Sequence, residues 1–173
     1  MMPSAPRSLV LARFVFAVGL MATMVPFLAK PAFADGRTLR GTWIVQVSLL
    51  TSCTGGSELP PFWSMVTFAS GGTLSGTTMS QAFAPGQRSA DHGTWARARG
   101  GDYTASSLAF INFPTPPAPP ASPGFQTGAQ RIDQVISLTD TDTFTSTATV
   151  TFFDTNSQLY REGCAVATGH RFK

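Results

Sequence analysis

Between Phe144 and Phe152 the chain alternates with a period of two. Phe144, Ser146, Ala148, Val150 and Phe152 fall on one side, and Thr145, Thr147, Thr149 and Thr151 on the other. Only an extended strand sorts odd from even positions in this way, because a helix brings residues three and four apart together. A threonine row opposite a row with aromatic ends predicts a wall buried on one face and wet on the other. The stretch from Gly41 to Leu50 repeats the pattern: Trp43, Val45, Val47 and Leu49 share one face, and Thr42, Gln46 and Ser48 share the other with Ile44 and Leu50. The glycine before Trp43 permits a tight turn or a close backbone approach, and the indole is large enough to plug one end of a barrel.

The rest of the exported part has the same texture, short alternating runs separated by Gly, Pro, Asp or Asn, with no helical stripe of useful length. Strands are predicted at Phe62–Phe68, Thr73–Met79, His92–Arg97, Tyr103–Phe113 and Ala129–Leu138, and a last one within Gln158–Phe172. Gly71-Gly72, Gly100-Gly101-Asp102 and Asp154–Ser157 are the turns, and Gln81–Asp91 is a polar loop with Pro85-Gly86 in it. Eight sequential strands joined by short turns fit a single up-and-down antiparallel β-barrel better than a sandwich, which needs Greek-key crossovers.

Residues 1–34 read as a cleaved signal peptide. Arg7 and Arg13 supply the positive flank, Phe14 to Leu28 is apolar apart from Thr23 and Pro26, and Ala32-Phe33-Ala34 is a small-x-small cleavage site. The apolar run falls short of the roughly 20 residues of a comfortable membrane span. Cleavage and release, with no stable membrane insertion afterwards, are therefore expected, and the barrel domain is residues 35–173. The destination is the periplasm or the medium.

Three of the twelve Lys and Arg (Arg7, Arg13 and Lys30) lie in the leader, which leaves nine basic against nine acidic residues in the remainder. A balanced domain lacks the clustered positive charge that nucleic acid or an anionic membrane would require. Cys53 and Cys164 are the two cysteines of the chain, and in an oxidising compartment they form one disulfide.

The Gly41-Thr42-Trp43 start of the first strand, the eight sequential strands and Arg171 near the end of the last one resemble the lipocalin-like (calycin) barrels. The runs Thr67-Phe68, Gly71-Gly72-Thr73-Leu74 and Gly93-Thr94-Trp95 with Tyr103 resemble small bacterial secreted domains of that type, whose function is undefined. The resemblance implies that Gly41, Trp43 and Arg171 are structural, with the arginine packed across the tryptophan at the closed end. The chain departs from full-size lipocalins in being shorter and in lacking a helix packed outside the barrel. A Trp43–Arg171 pair has residue numbers adding to 214 and the Cys53–Cys164 pair to 217. These are nearly one antiparallel register for the first and last strands, with Gly163, Gly169 or a bulge after Leu50 to absorb the offset.

An eight-stranded barrel is either filled by side chains or holds one small molecule. Val45, Val47, Phe68, Tyr103, Phe110, Ile136, Phe144, Val150 and Phe152 are the expected lining, and a small apolar ligand the expected partner. If those residues fill the interior, the domain is instead an interaction or structural module. For an enzyme the sequence offers little: it has no Gly-x-Ser-x-Gly, no phosphate-binding glycine loop, no His-Glu-x-x-His and no Cys-x-x-Cys. No catalytic residue, metal or cofactor is assigned. A cofactor-free isomerase or cyclase in the mouth would have to draw on His92 and His170, converging with Asp91, Asp102 or Glu162. Pro114–Gly124, with six prolines in eleven residues, reads as a rigid surface connection, or as a stiff lid or docking loop.

Overall fold

A computed structural model describes residues 37–114 and 125–173; the expected signal peptide, and the proline-rich stretch beyond Pro114, lie outside the described residues. The strands are β1 Gly41–Leu49, β2 Phe62–Phe68, β3 Thr73–Met79, β4 Asp91–Arg97, β5 Tyr103–Pro114, β6 Phe125–Leu138, β7 Thr143–Phe153 and β8 Leu159–Arg171. Each pairs antiparallel with the next, and β8 returns to β1, so the all-β sheet is a closed up-and-down barrel of eight strands. Closure gives every strand a partner on both sides, and no edge is left to aggregate. One boundary differs appreciably from the expected one. β6 starts at Phe125, not Ala129, because β5 runs on to Pro114 and its ladder carries the partner strand along, Pro114 opposite Phe125.

The closing ladder runs from Trp43↔Arg171 to Leu49↔Ala165. The Leu50 amide still donates to the Cys164 carbonyl at 2.8 Å, and then the chain turns back on itself with Gly56 N–H to Ser52 O and Thr51 N–H to Ser57 O. That turn absorbs the register offset of the disulfide, while β8 keeps its pairing through Gly163 and Gly169. Cys53 and Cys164 are bonded, so the bridge pins the β1–β2 loop to the outer face of β8 beside the closing seam. It links residues 111 apart, and changing both cysteines to serine is expected to lower stability by about 2 to 5 kcal/mol. Urea denaturation of the double variant would check this, and a midpoint equal to that of wild type would mean that the bridge is dispensable.

The strand ends near Gly41, Phe68, Thr73, Arg97, Tyr103, Leu138, Thr143 and Arg171 form the closed end of the barrel. Leu39, Trp43, Phe68, Tyr103, Ile136 and Phe144 fill it, with Leu74, Ala105 and Trp95 packed alongside. Trp43 is fully buried, donates from Nε1 to the Leu39 carbonyl at 2.8 Å and meets Phe144 edge-on at 5.0 Å. The Arg171 guanidinium lies 4.2 Å from the centre of the indole ring. Its nitrogens donate to the carbonyls of Thr38, Arg40 and Thr141 and to the Asp142 carboxylate, tying three chain segments over the plug. Gly41 is required there twice over: its φ is +122°, and a Cβ would stand 2.7 Å from Arg171 Nη1. Asp142 also accepts from Lys173, and that hydrogen bond, with the charges of Lys173 and Arg171, holds its carboxyl below the usual carboxylate range.

Candidate functional site

The other half of the barrel is hollow. Between Arg161 and Arg171 the inward positions of β8 are Gly163, Ala165, Ala167 and Gly169, and those of β7 between Phe144 and Phe152 are Ser146, Ala148 and Val150, all small or medium residues. With so little side-chain volume aimed inward, the interior above Phe68 and Phe144 is not filled and a cavity of about 340 Å³ remains. Its walls are largely aliphatic and aromatic, among them Val45, Val47, Val66, Ile111, Ile132 and Val150. It reaches the strand ends opposite the Trp43 plug, where Leu59, Phe83 and Phe113 contribute from the connecting loops and β5. Phe152 and Tyr160 belong to the same rim, their rings 6.1 Å apart, with the Arg161 guanidinium 5.5 Å from the Phe152 ring centre.

A buried charged cluster interrupts this largely apolar wall. Register places Asp91 on β4 opposite Gly76 on β3, and Gln130 on β6 opposite Ala109 on β5. Arg88, in the loop before β4, spans this gap: Nε donates to Gln130 Oε1 at 2.6 Å, and Nη2 donates to Asp91 Oδ1 at 3.2 Å. Nη1 donates to the Ser89 carbonyl and again to Asp91 Oδ1. The pair is interior, with the Arg88 side chain 4% exposed and that of Asp91 10%. Space for it comes from Ala109, fully buried, and from Gly76, where a Cβ would come within 2.9 Å of Asp91 Oδ2. An ion pair removed from water persists only when hydrogen bonds satisfy the rest of each group, and Gln130 and the Ser89 carbonyl do so for Arg88.

Of the residues expected to line the interior, Val45, Val47, Phe68, Phe144, Val150 and Phe152 all border the cavity. Tyr103 and Ile136 point inward too, but within the closed-end plug. Phe110 does not belong to the lining. It is 56% exposed on the outer face, because the inward positions of β5 are the odd ones, Tyr103, Ala105, Ser107, Ala109 and Ile111. His92 and His170 are exposed on the outer faces of β4 and β8, since each neighbours an inward residue, Asp91 and Gly169 respectively. Asp102 is occupied by Ser137, whose hydroxyl donates to it at 2.7 Å, and Glu162 is exposed, so the two histidines meet no carboxylate in the mouth. Among the described residues no three His, Cys, Asp or Glu side chains gather as a metal site.

The fold and the cavity together define the class of protein: a closed eight-stranded up-and-down barrel with a plugged end and a chamber. Compared with family models, with curated proteins and with solved structures, the chain finds no match in any of the three.

Proposed function

We propose that the protein is an exported carrier of lipocalin-like type that holds one small apolar molecule in the chamber above Trp43 and Phe144. The observation that carries this reading is the cavity of about 340 Å³, walled mainly by apolar side chains, with hydroxyl and amide groups dispersed among them and one buried charge pair. Ligand sites of proteins share that character: concave, largely apolar and supplied with a few placed polar groups. At about 30 Å³ for each water-sized group, the chamber suits on the order of ten to a dozen non-hydrogen atoms. Export is supported by the leader-like residues 1–34 and by a disulfide, which persists in an oxidising compartment.

The test is mass spectrometry of organic extracts of the mature protein, purified from an exporting host without detergent. A stoichiometric apolar molecule is the expected result. Protein that is empty and also shows no saturable binding of an apolar fluorescent probe would overturn the reading. One observation favours a second role, as an interaction module. Trp63 and Met79 face each other on the outside of β2 and β3, 53% and 76% exposed, with Met65 and Ile44 beside them. An exposed apolar patch of this kind marks interaction surfaces on other proteins.

A further inference from the structure

The polar cluster in the chamber wall has unused hydrogen-bonding capacity, and its location says what a cargo must carry. Asp91 is 7% exposed, and both nitrogens that reach it, Nη1 and Nη2 of Arg88, bond to Oδ1. Oδ2 takes no donor from the described residues. Gln130, equally buried, spends Oε1 on Arg88 and leaves its amide Nε2 as an uncommitted donor. Both residues border the cavity, as do Ser107 and Gln134. Among the described residues no side-chain nitrogen or oxygen is sealed from solvent without a partner, so Oδ2 and Nε2 open onto the cavity, where water or a cargo supplies what the protein does not.

The formal charges of Arg88 and Asp91 cancel, so an ion of either sign brought to this cluster would lose its hydration with no net opposite charge beside it; the other cation of the lining, Arg161, stands at the rim. A carboxylate head would in addition face Asp91 Oδ2, acceptor against acceptor. A neutral head that both donates and accepts, an alcohol or a primary amide, satisfies Oδ2 and Gln130 Nε2 together. We infer that the chamber selects a neutral medium-chain amphiphile: an apolar body along Val45, Val47, Phe144 and Val150, and a hydroxyl or carboxamide head on Asp91 and Gln130. This rests on the carrier reading and narrows it to a ligand class.

The test is calorimetric binding of a series with one chain length, chosen to match the chamber: decanol, decanamide, methyl decanoate, decanoate and decylammonium. Decanol and decanamide are expected to bind on the order of tenfold tighter than methyl decanoate, which accepts but cannot donate, and tighter again than either ion. The same series on the R88M/D91L double variant, its fold checked by circular dichroism, should bring alcohol and ester to within about twofold of each other. Equal affinities across the series in the wild-type protein would overturn the head-group inference and leave the carrier standing. Tightest binding of decanoate would also overturn it, placing the head instead at the exposed Arg161 of the rim. Binding of none of the five would remove the inference and count against the carrier as well.

Discussion

Replacing Trp43 by Ala is expected to destabilise the domain by about 3 to 5 kcal/mol, a large share of the 5 to 15 kcal/mol that such domains possess. The indole is fully buried, and its removal leaves a void at the one place where the barrel is closed by side chains. The void cannot easily collapse. Phe68 and Phe144 are held by β2 and β7, and Arg171 by carbonyls of Thr38, Arg40 and Thr141. Two further losses add to the transfer and cavity terms: the Leu39 carbonyl loses its indole donor, and the guanidinium loses the ring 4.2 Å away. Urea denaturation should show a lower midpoint with an unchanged slope, because the surface exposed on unfolding hardly alters. Trp43→Phe retains a ring beneath Arg171 and should lose less than half as much. A loss under about 1 kcal/mol for the alanine variant would mean that the plug does not close the barrel.

This end of the molecule was the most legible in the sequence, for a physical reason. Strand parity is absolute, so Trp43, Val45 and Val47 had to share a face, as did Phe144, Ser146, Ala148, Val150 and Phe152. The cysteine pair then fixed which strands meet at the seam, and a single covalent link between the ends of the chain is strong topological information. Parity also shows why Phe110 was misplaced. Tyr103 and Phe110 are seven apart on one unbroken strand and must point to opposite faces. Hydrophobicity alone put both inside, and it is a poor guide in a barrel whose outer face carries Trp63, Met65 and Phe110.

The chamber itself was half written. Gly163, Ala165, Ala167 and Gly169 alternate along β8, and small residues on an inward face imply unfilled space. The polar cluster was not legible. Asp91 looked like the end of a loop beside a histidine, and its inward direction depends on the pairing of β3, β4, β5 and β6 together. That Gly76 and Ala109 leave room for Arg88 and Asp91 is a property of those registers, which no local pattern announces.

Because the cluster is buried, its parts should respond to mutation as a unit. Asp91→Leu alone is expected to cost about 3 to 5 kcal/mol, since it strands the Arg88 guanidinium, 4% exposed, with only Gln130 and the Ser89 carbonyl as partners. Adding Arg88→Met removes the uncompensated charge, and the double variant R88M/D91L should recover most of that loss, ending within about 2 kcal/mol of wild type or above it. The recovery is at least about 1 to 3 kcal/mol, and any cost of Arg88→Met alone adds to it in the coupling, which is well beyond the few tenths by which independent sites depart from additivity. Denaturant melts of the wild type, both single variants and the double close the cycle. A cheap Asp91→Leu, under about 1 kcal/mol, would mean that water reaches the pair freely, as at an exposed salt bridge. A costly single with a recovering double would establish that this barrel keeps a charge pair inside at no large net gain in stability. Such a pair is best explained by what it does for the chamber: it holds Asp91 Oδ2 and Gln130 Nε2 in place on a wall that apolar residues could otherwise have completed.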